Sequence, residues 1–226
     1  MRVVCLHTAR SNIAVFAAVA RAAGLPALEL THVVRADLLA AAERAGGLTE
    51  AIVTQTRASL VALGSDSHAV LLTCSTLGPV VDDTLAKQAA PVPVLRVDAA
   101  LASRAVANGG KVVVLCAAPT TLEPTANLFL QAATRTGASV EVQLVGGAWD
   151  LFKAGDSATC LSTIAAAADA AYANGADVVA LAQASMAGAT EFVTRGAPPL
   201  TSPQAGLAAA IDAATRAARA FDQGQS

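Results

Sequence analysis

The sequence predicts an α/β fold built from two similar halves, each a doubly wound parallel sheet. Short, continuous runs of Val, Leu and Ile alternate along the chain with Ala-rich segments that have helical spacing. Strands that are unbroken apolar runs are typical of parallel sheets covered by helices on both faces. The same order of elements also occurs twice, which favours two halves over one long sheet.

Each predicted strand is an apolar run bounded by polar or turn-forming residues. The predicted strands are Val3–His7, Ala27–His32, Ala69–Thr73, Val92–Val97, Lys111–Cys116, Val140–Val145, Val178–Ala182 and a short piece at Pro199–Thr201. The predicted helices lie between them, at 12–23, 36–44, 48–63, 80–89, 98–108, 123–136, 158–174 and 204–221. Alanine has the highest helix propensity of all residues, which agrees with this assignment.

Similar segments recur at a constant distance along the chain. The offset is 109 residues from Val3 to Val112, and again from Cys74 to Gln183. We therefore predict that residues 1–97 form the first half and residues 98–204 the second half. The C-terminal helix, 205–226, is expected to pack back on the first half. We also expect a pseudo-twofold axis to relate the two halves.

The composition argues against several classes of protein. With 54% hydrophobic and 14% charged residues, the chain can bury a core and is not disordered. A net charge of -2 offers no basic surface, so neither nucleic acid nor an anionic membrane is expected as a partner. No apolar run reaches the roughly 18 residues of a spanning helix. The start, MRVVCLHT, lacks the layout of a signal peptide, and we expect a cytoplasmic protein.

The cysteines and histidines do not form a recognisable motif. The four cysteines, at positions 5, 74, 116 and 160, match neither CxxC spacing nor a small disulfide framework. Cys5, Cys116 and Cys160 are interpreted as packing residues, since a buried free cysteine behaves as a small hydrophobe. The three histidines lack ligand spacing, so no metal site is predicted. His7 is interpreted as a strand-end histidine rather than a base.

The segment AVLLTCSTLGPV, residues 69–80, ends a predicted strand with a cysteine among hydroxyl side chains. The segment DVVALAQASMAGA, residues 177–189, has a similar pattern with Gln183 in the place of Cys74. Ligands of parallel α/β sheets bind beyond the carboxyl ends of the strands. Cys74, at a strand end leading into a helix, is therefore the candidate catalytic thiolate. We expect Gln183 to face it across a cleft between the halves.

These motifs resemble those of the aspartate/glutamate/hydantoin racemase family. The similar segments are LHT, LLTCSTLGP, VLCAAPTTLEPT, the Gly155-Asp156 pair, LAQASMA and LTSPQAGL, which together span most of the chain. The resemblance implies two α/β halves with an active site between them and chemistry at the carbon next to a carboxylate. It further implies that no cofactor is used, that the substrate is a small carboxylate or a hydantoin-like molecule, and that the chain forms a homo-oligomer.

The sequence departs from the family's pattern at the second motif. In hydantoin-racemase-like members this motif resembles Leu-Gly-Cys-Ala-Gly-Met-Ala, and over Leu181–Ala187 its cysteine falls on Gln183. In two-cysteine members one thiolate removes a proton and the opposite thiol returns a proton to the other face. Gln183 has no titratable proton near neutral pH and can only donate or accept hydrogen bonds. Cys74 is therefore predicted as the single catalytic thiol, with Gln183 as an active-site hydrogen-bonding group.

Small polar residues at the strand-to-helix turns are predicted to bind the substrate. Hydroxyl and backbone N–H groups at such turns suit a carboxylate, and the same residues also suit helix capping. The resemblance favours binding for Thr120, Thr121 and Ser202. The full set of candidates is Thr8, Ser11, Asn12, Ser75, Thr76, Thr120, Thr121, Ser185 and Ser202. Because Arg and Lys are scarce near these loops, we expect these donors rather than a guanidinium clamp.

Three functions remain open from the sequence. The first is a cofactor-independent racemase or isomerase in which Cys74 acts as a base, or as a nucleophile on a double bond in the manner of maleate isomerase. The second is a one-thiol decarboxylase or lyase similar to arylmalonate decarboxylase. The cysteine of that relative lies in the second half, whereas Cys74 lies in the first. The third is a non-catalytic small-acid-binding protein that retains the scaffold.

Overall fold

The structure, a computed structural model, describes residues 1–24, 28–86 and 90–223. These residues form two compact units, each with a four-stranded parallel sheet and flanking helices. The first unit comprises Met1–Val97 together with the described residues from Pro203 onward, and the second is Asp98–Ser202. The predicted α/β class with two parallel sheets is confirmed.

The first unit alternates strands and helices around the sheet order β2-β1-β3-β4. Because the strands are parallel, each connection carries the chain back along the sheet through a helix. The elements are β1 (Arg2–His7), α1 (Asn12–Ala22), β2 (Glu29–Val34), α2 (Ala36–Ala45), α3 (Glu50–Gly64), β3 (Ala69–Leu72), α4 (Pro79–Ala86) and β4 (Val94–Arg96).

The second unit has the same strand topology, in the order β6-β5-β7-β8. Its elements are α5 (Val97–Ala105), β5 (Lys111–Cys116), a 3-10 helix (Pro119–Thr121), α6 (Leu122–Ala133), β6 (Ser139–Leu144), α7 (Ala148–Lys153), α8 (Ser157–Ala173), β7 (Val178–Leu181), a second 3-10 helix (Ala184–Glu191) and β8 (Leu200–Thr201). The last helix, α9 (Ser202–Gln223), belongs to the first unit from Pro203 onward.

The internal repeat predicted from the sequence is present in the strand register. Val3 pairs with Ala69 in the first sheet, and Val112 pairs with Val178 in the second. Each residue of the second pair follows its counterpart by 109 residues. The two central strands of each sheet are buried along nearly their whole length, as expected for strands covered on both faces.

Each unit has its own hydrophobic core. In the first unit the core joins the strands to the helices through residues such as Leu6, Leu38 and Leu60, which have no exposed surface. In the second unit Leu115, Ile164 and Leu181 have the same role. Burying each of these side chains stabilises the fold by roughly 1.5–3 kcal/mol in transfer free energy.

The boundaries differ from the predictions in a few places. The helix α7 was not predicted, because the segment is only six residues long and contains both Trp149 and Phe152, whose rings stack at 5.2 Å. The strand predicted at Val92–Val97 is limited to Val94–Arg96, because Val97 already begins α5. Predictions for Ala27, for residues 87–89 and for residues 224–226 lie outside the described residues.

Candidate functional site

Cys74 lies in the loop between β3 and α4, just beyond the carboxyl end of a central strand. Of the four cysteines, all of which are described, Cys74 keeps the most exposed surface, 8%, against 3% for Cys160 and none for the other two. It is also the only one of the four outside a regular helix or strand. Its neighbours in the hydrophobic core include Leu72, Leu77 and Val80. Cys74 is therefore a buried thiol at the edge of the core, with only a small part of its surface accessible.

A chain of hydrogen bonds connects β2, β1 and the residue before Cys74. The Thr73 hydroxyl donates to the Leu6 carbonyl at 3.1 Å, so it accepts a hydrogen bond from His7 Nδ1 at 2.8 Å. His7 thus carries its proton on Nδ1, and its Nε2 accepts from His32 Nδ1 at 2.8 Å. The chain anchors Thr73, and therefore the start of the Cys74 loop, to the neighbouring strands.

His7 is an uncharged side chain at neutral pH. It has no exposed surface, and burial together with the nearby His32 lowers the pKa of His7 to about 4. Burial likewise lowers the pKa of His32. These environments favour the neutral imidazole, because a buried cation would lose its hydration without gaining a counter-ion. The interpretation of His7 as a strand-end histidine agrees with these contacts.

The other site residues predicted in the first unit occupy the turns after β1 and β3. Thr8 and Asn12 are buried after β1, and the Oδ1 atom of Asn12 has no hydrogen-bond partner among the described residues. Ser11 is exposed and immediately precedes α1, yet its side chain makes no capping hydrogen bond. Ser75 and Thr76 are buried in the turn that follows Cys74. An unpartnered buried amide oxygen is uncommon, which makes Asn12 a candidate ligand-binding group.

A buried guanidinium packs against the Cys74 loop. Arg96, at the end of β4, is 6% exposed, and its Nη1 forms an ion pair with Asp82 Oδ2 at 2.7 Å. A Cβ atom on Gly78 would lie 2.7 Å from Cζ of Arg96, so only glycine fits at this position without a shift. The pairing of Leu72 with Arg96 brings this guanidinium next to the loop, where it forms an ion pair with Asp82. That the substrate is bound by hydroxyl and backbone donors rather than by a guanidinium clamp stays a prediction.

Replacing Gly78 by alanine is expected to destabilise the protein by about 1–3 kcal/mol, because the new methyl group would displace the Arg96 guanidinium, which is buried and paired with Asp82. Urea unfolding of the Gly78→Ala variant measures the change in the free energy of unfolding. Gly146→Ala is the matched control, since no atom lies within 4 Å of a Cβ there. Equal free energies of unfolding for the two variants would contradict the packing described for Arg96.

Gln183 lies in the second unit, just beyond the carboxyl end of β7. Its Oε1 accepts a hydrogen bond from the Ala117 backbone N–H at 2.6 Å, and its Nε2 donates to the Thr121 hydroxyl. The Thr121 hydroxyl in turn donates to the Ala118 carbonyl at 2.6 Å. The amide therefore joins the end of β7 to the loop that follows β5. Both ends of this side chain have partners within its own unit.

A second buried thiol lies next to Gln183. Cys116 ends β5 and has no exposed surface. Burial raises the pKa of the Cys116 thiol, and hydrogen bonds with Thr125, Thr121 and Gln183 act in the opposite direction. Cys116 is thus a neutral thiol in a polar cluster rather than a thiolate. The interpretation of Cys116 as a packing residue is confirmed by its burial, and the polar cluster adds to that role.

The remaining predicted binding residues occupy separate parts of the second unit. Thr120 and Thr121 belong to the short 3-10 helix after β5, where Thr120 is half-buried and Thr121 is buried. Ser185 is half-buried in the 3-10 helix after β7. Ser202 is fully buried at the start of α9, and its Oγ has no hydrogen-bond partner among the described residues. Of this set, the described contacts connect Thr121 directly to Gln183.

Comparison with known proteins identifies the family. The model of the Asp/Glu/Hydantoin racemase family matches residues 9–211. The chain therefore belongs to the Asp/Glu/hydantoin racemase family.

Solved structures of several racemases and of a decarboxylase have the same fold. The aspartate racemase of Picrophilus torridus is 15% identical with a TM-score of 0.71, covering 94% of this chain and 93% of that one. The allantoin racemase of Pseudomonas fluorescens is 20% identical with a TM-score of 0.62, covering 94% and 90%. An arylmalonate decarboxylase is 16% identical with a TM-score of 0.57, covering 95% and 92%. At these identities the likeness concerns the fold.

Two further comparisons bear on the chain as a whole. A search of curated protein sequences finds no significant match. Among the residues that the structure describes, no helix combines the length and the apolar character needed to cross a membrane.

Proposed function

We propose that this chain is an enzyme of the racemase and isomerase type that acts at the carbon next to a carboxylate or carbonyl group, with Cys74 as its single catalytic thiol. The observation that carries the proposal is the position of Cys74. It is the least buried of the four cysteines and lies beyond the end of a central strand, between hydroxyl-bearing residues. Ligands of parallel α/β sheets bind at such strand ends.

The proposed chemistry needs a base and a group that stabilises the developing charge. The Cys74 thiolate takes the proton from the carbon, and the electron pair of the broken C–H bond moves onto the carboxylate or carbonyl oxygen to form an enolate. Carbon acids of this kind are much weaker than a thiol, so hydrogen-bond donors must stabilise the enolate. The hydroxyl groups of Ser75 and Thr76 are the proposed donors, and the unpartnered Asn12 Oδ1 is proposed to accept a hydrogen bond from an N–H group of the substrate. The Cys74 thiol can return this proton to the same face, which restores the original configuration. Inversion requires a solvent water to give a proton to the opposite face, and the proton held by Cys74 then neutralises the hydroxide that is left.

The substrate is proposed to be a small carboxylate or a hydantoin-like molecule. The structural neighbours include aspartate, glutamate and allantoin racemases, and a small acid or a cyclic ureide fits the proposed enolate chemistry. Only 3% of the residues are aromatic, so a substrate pocket lined by aromatic side chains is not expected. The proposed reaction uses no cofactor. Homo-oligomer formation and a cytoplasmic location stay predictions from the sequence.

A second candidate function, a one-thiol decarboxylase, is favoured by the contacts of Gln183. Its amide has no titratable proton, and both of its ends are hydrogen-bonded to Ala117 and Thr121. The position that carries the second cysteine in two-cysteine relatives thus supplies no acid. In a decarboxylase, loss of CO2 from a malonate-type substrate leaves the enolate, and the Cys74 thiol gives its proton to one face of the carbon. A single thiol is sufficient for this reaction.

The test is proton exchange in heavy water. The protein is incubated with small amino acids, hydroxy acids, hydantoins and substituted malonates, and NMR detects replacement of the proton next to the carboxylate by deuterium. Racemase or isomerase activity gives exchange without loss of carbon, whereas decarboxylation gives one enantiomer with one deuterium and releases CO2. Tight binding of a small acid with no exchange and no CO2 would contradict both functions and favour a non-catalytic binding protein.

A further inference from the structure

Three metal-ligating side chains converge on one face of the first sheet. Cys5 and His7 are alternate residues of β1, so their side chains lie on the same face. His32, on the neighbouring strand β2, is the parallel pairing partner of Cys5. The ligand atoms of the three residues all lie within 4.8 Å of one another.

We propose that Cys5 Sγ, His7 Nε2 and His32 Nδ1 form a binding site for a divalent transition-metal ion of the Zn²⁺ type. In tetrahedral zinc sites the ligand atoms lie roughly 3.3–3.6 Å apart, given Zn–N bonds of about 2.0–2.1 Å and Zn–S bonds of about 2.3 Å. His7 Nε2 and His32 Nδ1 are 2.8 Å apart, slightly closer than this spacing. Shifts of roughly 1 Å would bring all three atoms onto the tetrahedral spacing.

The hydrogen bonds on the Nδ1 side of the His7 ring fix its orientation, as is usual for a histidine that binds a metal ion. Its Nδ1 donates to the Thr73 hydroxyl, and that hydroxyl donates to the Leu6 carbonyl. Metal-binding histidines usually donate their second ring N–H to an oxygen in this way, which fixes the tautomer and the orientation of the ring. The lone pair of His7 is thereby directed through Nε2 toward His32. Burial also keeps the His7 ring neutral, because it lowers the pKa to about 4.

The Cys5 ligand favours a transition-metal ion over Mg²⁺ or Ca²⁺. Burial raises the pKa of the Cys5 thiol to about 12, so the metal-free site holds a neutral S–H group. Binding of the ion releases the Cys5 proton to solvent and requires His32 to carry its proton on Nε2. The ion then has one thiolate and two neutral imidazole ligands. Mg²⁺ and Ca²⁺ prefer oxygen ligands, whereas Zn²⁺ and Co²⁺ bind thiolate and imidazole.

The proposal of a metal site does not rest on the function proposed for Cys74. Proton transfer by a thiolate needs no metal, so the two proposals can fail separately. The histidines are distant in sequence and show no ligand spacing, which is why the sequence predicts no metal site. The convergence depends on the parallel register that places Cys5 beside His32.

Co²⁺ titration of the untagged, chelator-treated full chain tests the site. The wild type is expected to bind one Co²⁺ per chain with a sulfur-to-cobalt charge-transfer band and tetrahedral d–d bands, and Zn²⁺ is expected to displace the Co²⁺. Cys5→Ser should lose the charge-transfer band, and His32→Ala should weaken binding at least about tenfold. His68→Ala and Cys160→Ala are the matched controls, because neither residue belongs to the cluster.

Two results of this titration would contradict the proposed metal site. Absence of saturable Co²⁺ binding by the wild type would overturn the proposal, as would wild-type affinity in His32→Ala. Circular dichroism verifies that each variant is folded. If Cys5→Ser does not fold, His32→Ala decides, since His32 is only half-buried and its truncation leaves the core of β1 intact.

Discussion

Replacing Cys74 by alanine is expected to lower the rate of substrate proton exchange by at least about 10²–10⁴-fold, the usual contribution of a positioned acid or base. Alanine has no group that can take up or return a proton, so the carbon acid would be left to react with water alone. The rate is measured by NMR in heavy water with the best substrate of the wild type. The change corresponds to roughly 3–5 kcal/mol of transition-state free energy.

Cys160→Ala is the matched control for this variant. Cys160 is buried in α8, where its Sγ donates to the Ala148 carbonyl at 3.3 Å, and it takes no part in the proposed reaction. The control variant should keep the wild-type rate. Thermal unfolding of both variants shows whether either has lost stability. A folded Cys74→Ala variant that exchanges protons at the wild-type rate would contradict the role given to Cys74.

Replacing Gln183 by leucine is expected to destabilise the protein by about 1–3 kcal/mol. Leucine has nearly the same size but accepts no hydrogen bond, so the Ala117 N–H loses the partner that lies 2.6 Å away. The Thr121 hydroxyl loses a donor at the same time. A buried N–H group without an acceptor costs more than the net value of the bond it made. Urea unfolding measures the difference in the free energy of unfolding.

The matched control is Gln131→Leu. Gln131 is an exposed residue of α6, and no hydrogen bond is described for its side chain. Its replacement should change the free energy of unfolding by no more than about 0.5 kcal/mol, as for most surface substitutions. If Gln183→Leu is as stable as Gln131→Leu, the bridge between the ends of β5 and β7 does not contribute to stability.

The strand pattern was readable from the sequence because parallel, fully buried strands consist of unbroken apolar runs. The 109-residue offset also carried structural information. It relates β1 to β5 and β3 to β7, and the pairing of Val3 with Ala69 recurs as that of Val112 with Val178. The position of Cys74 at a strand end follows from the same pattern, since its strand ends at Leu72.

The contacts around the candidate site could not be read from the sequence. His7 and His32 meet because β1 and β2 pair in one particular register, and no spacing along the chain encodes this. Arg96 reaches the Cys74 loop through the pairing of β3 with β4. Cys116 is a core residue, as its apolar strand predicts, but its hydrogen bonds with Thr125, Thr121 and Gln183 have no signal in the sequence. Each of these contacts is set by tertiary packing rather than by local propensity.

Partial alkylation provides the decisive test of the role of Cys74, through the loss of activity that it causes. The protein is treated with iodoacetamide for increasing times, mass spectrometry gives the fraction of each cysteine that is modified, and NMR gives the remaining proton-exchange rate. We expect the rate to fall in proportion to the fraction of Cys74 that carries the label and to reach zero when this fraction is complete. A full exchange rate in protein whose Cys74 is completely alkylated would contradict the account.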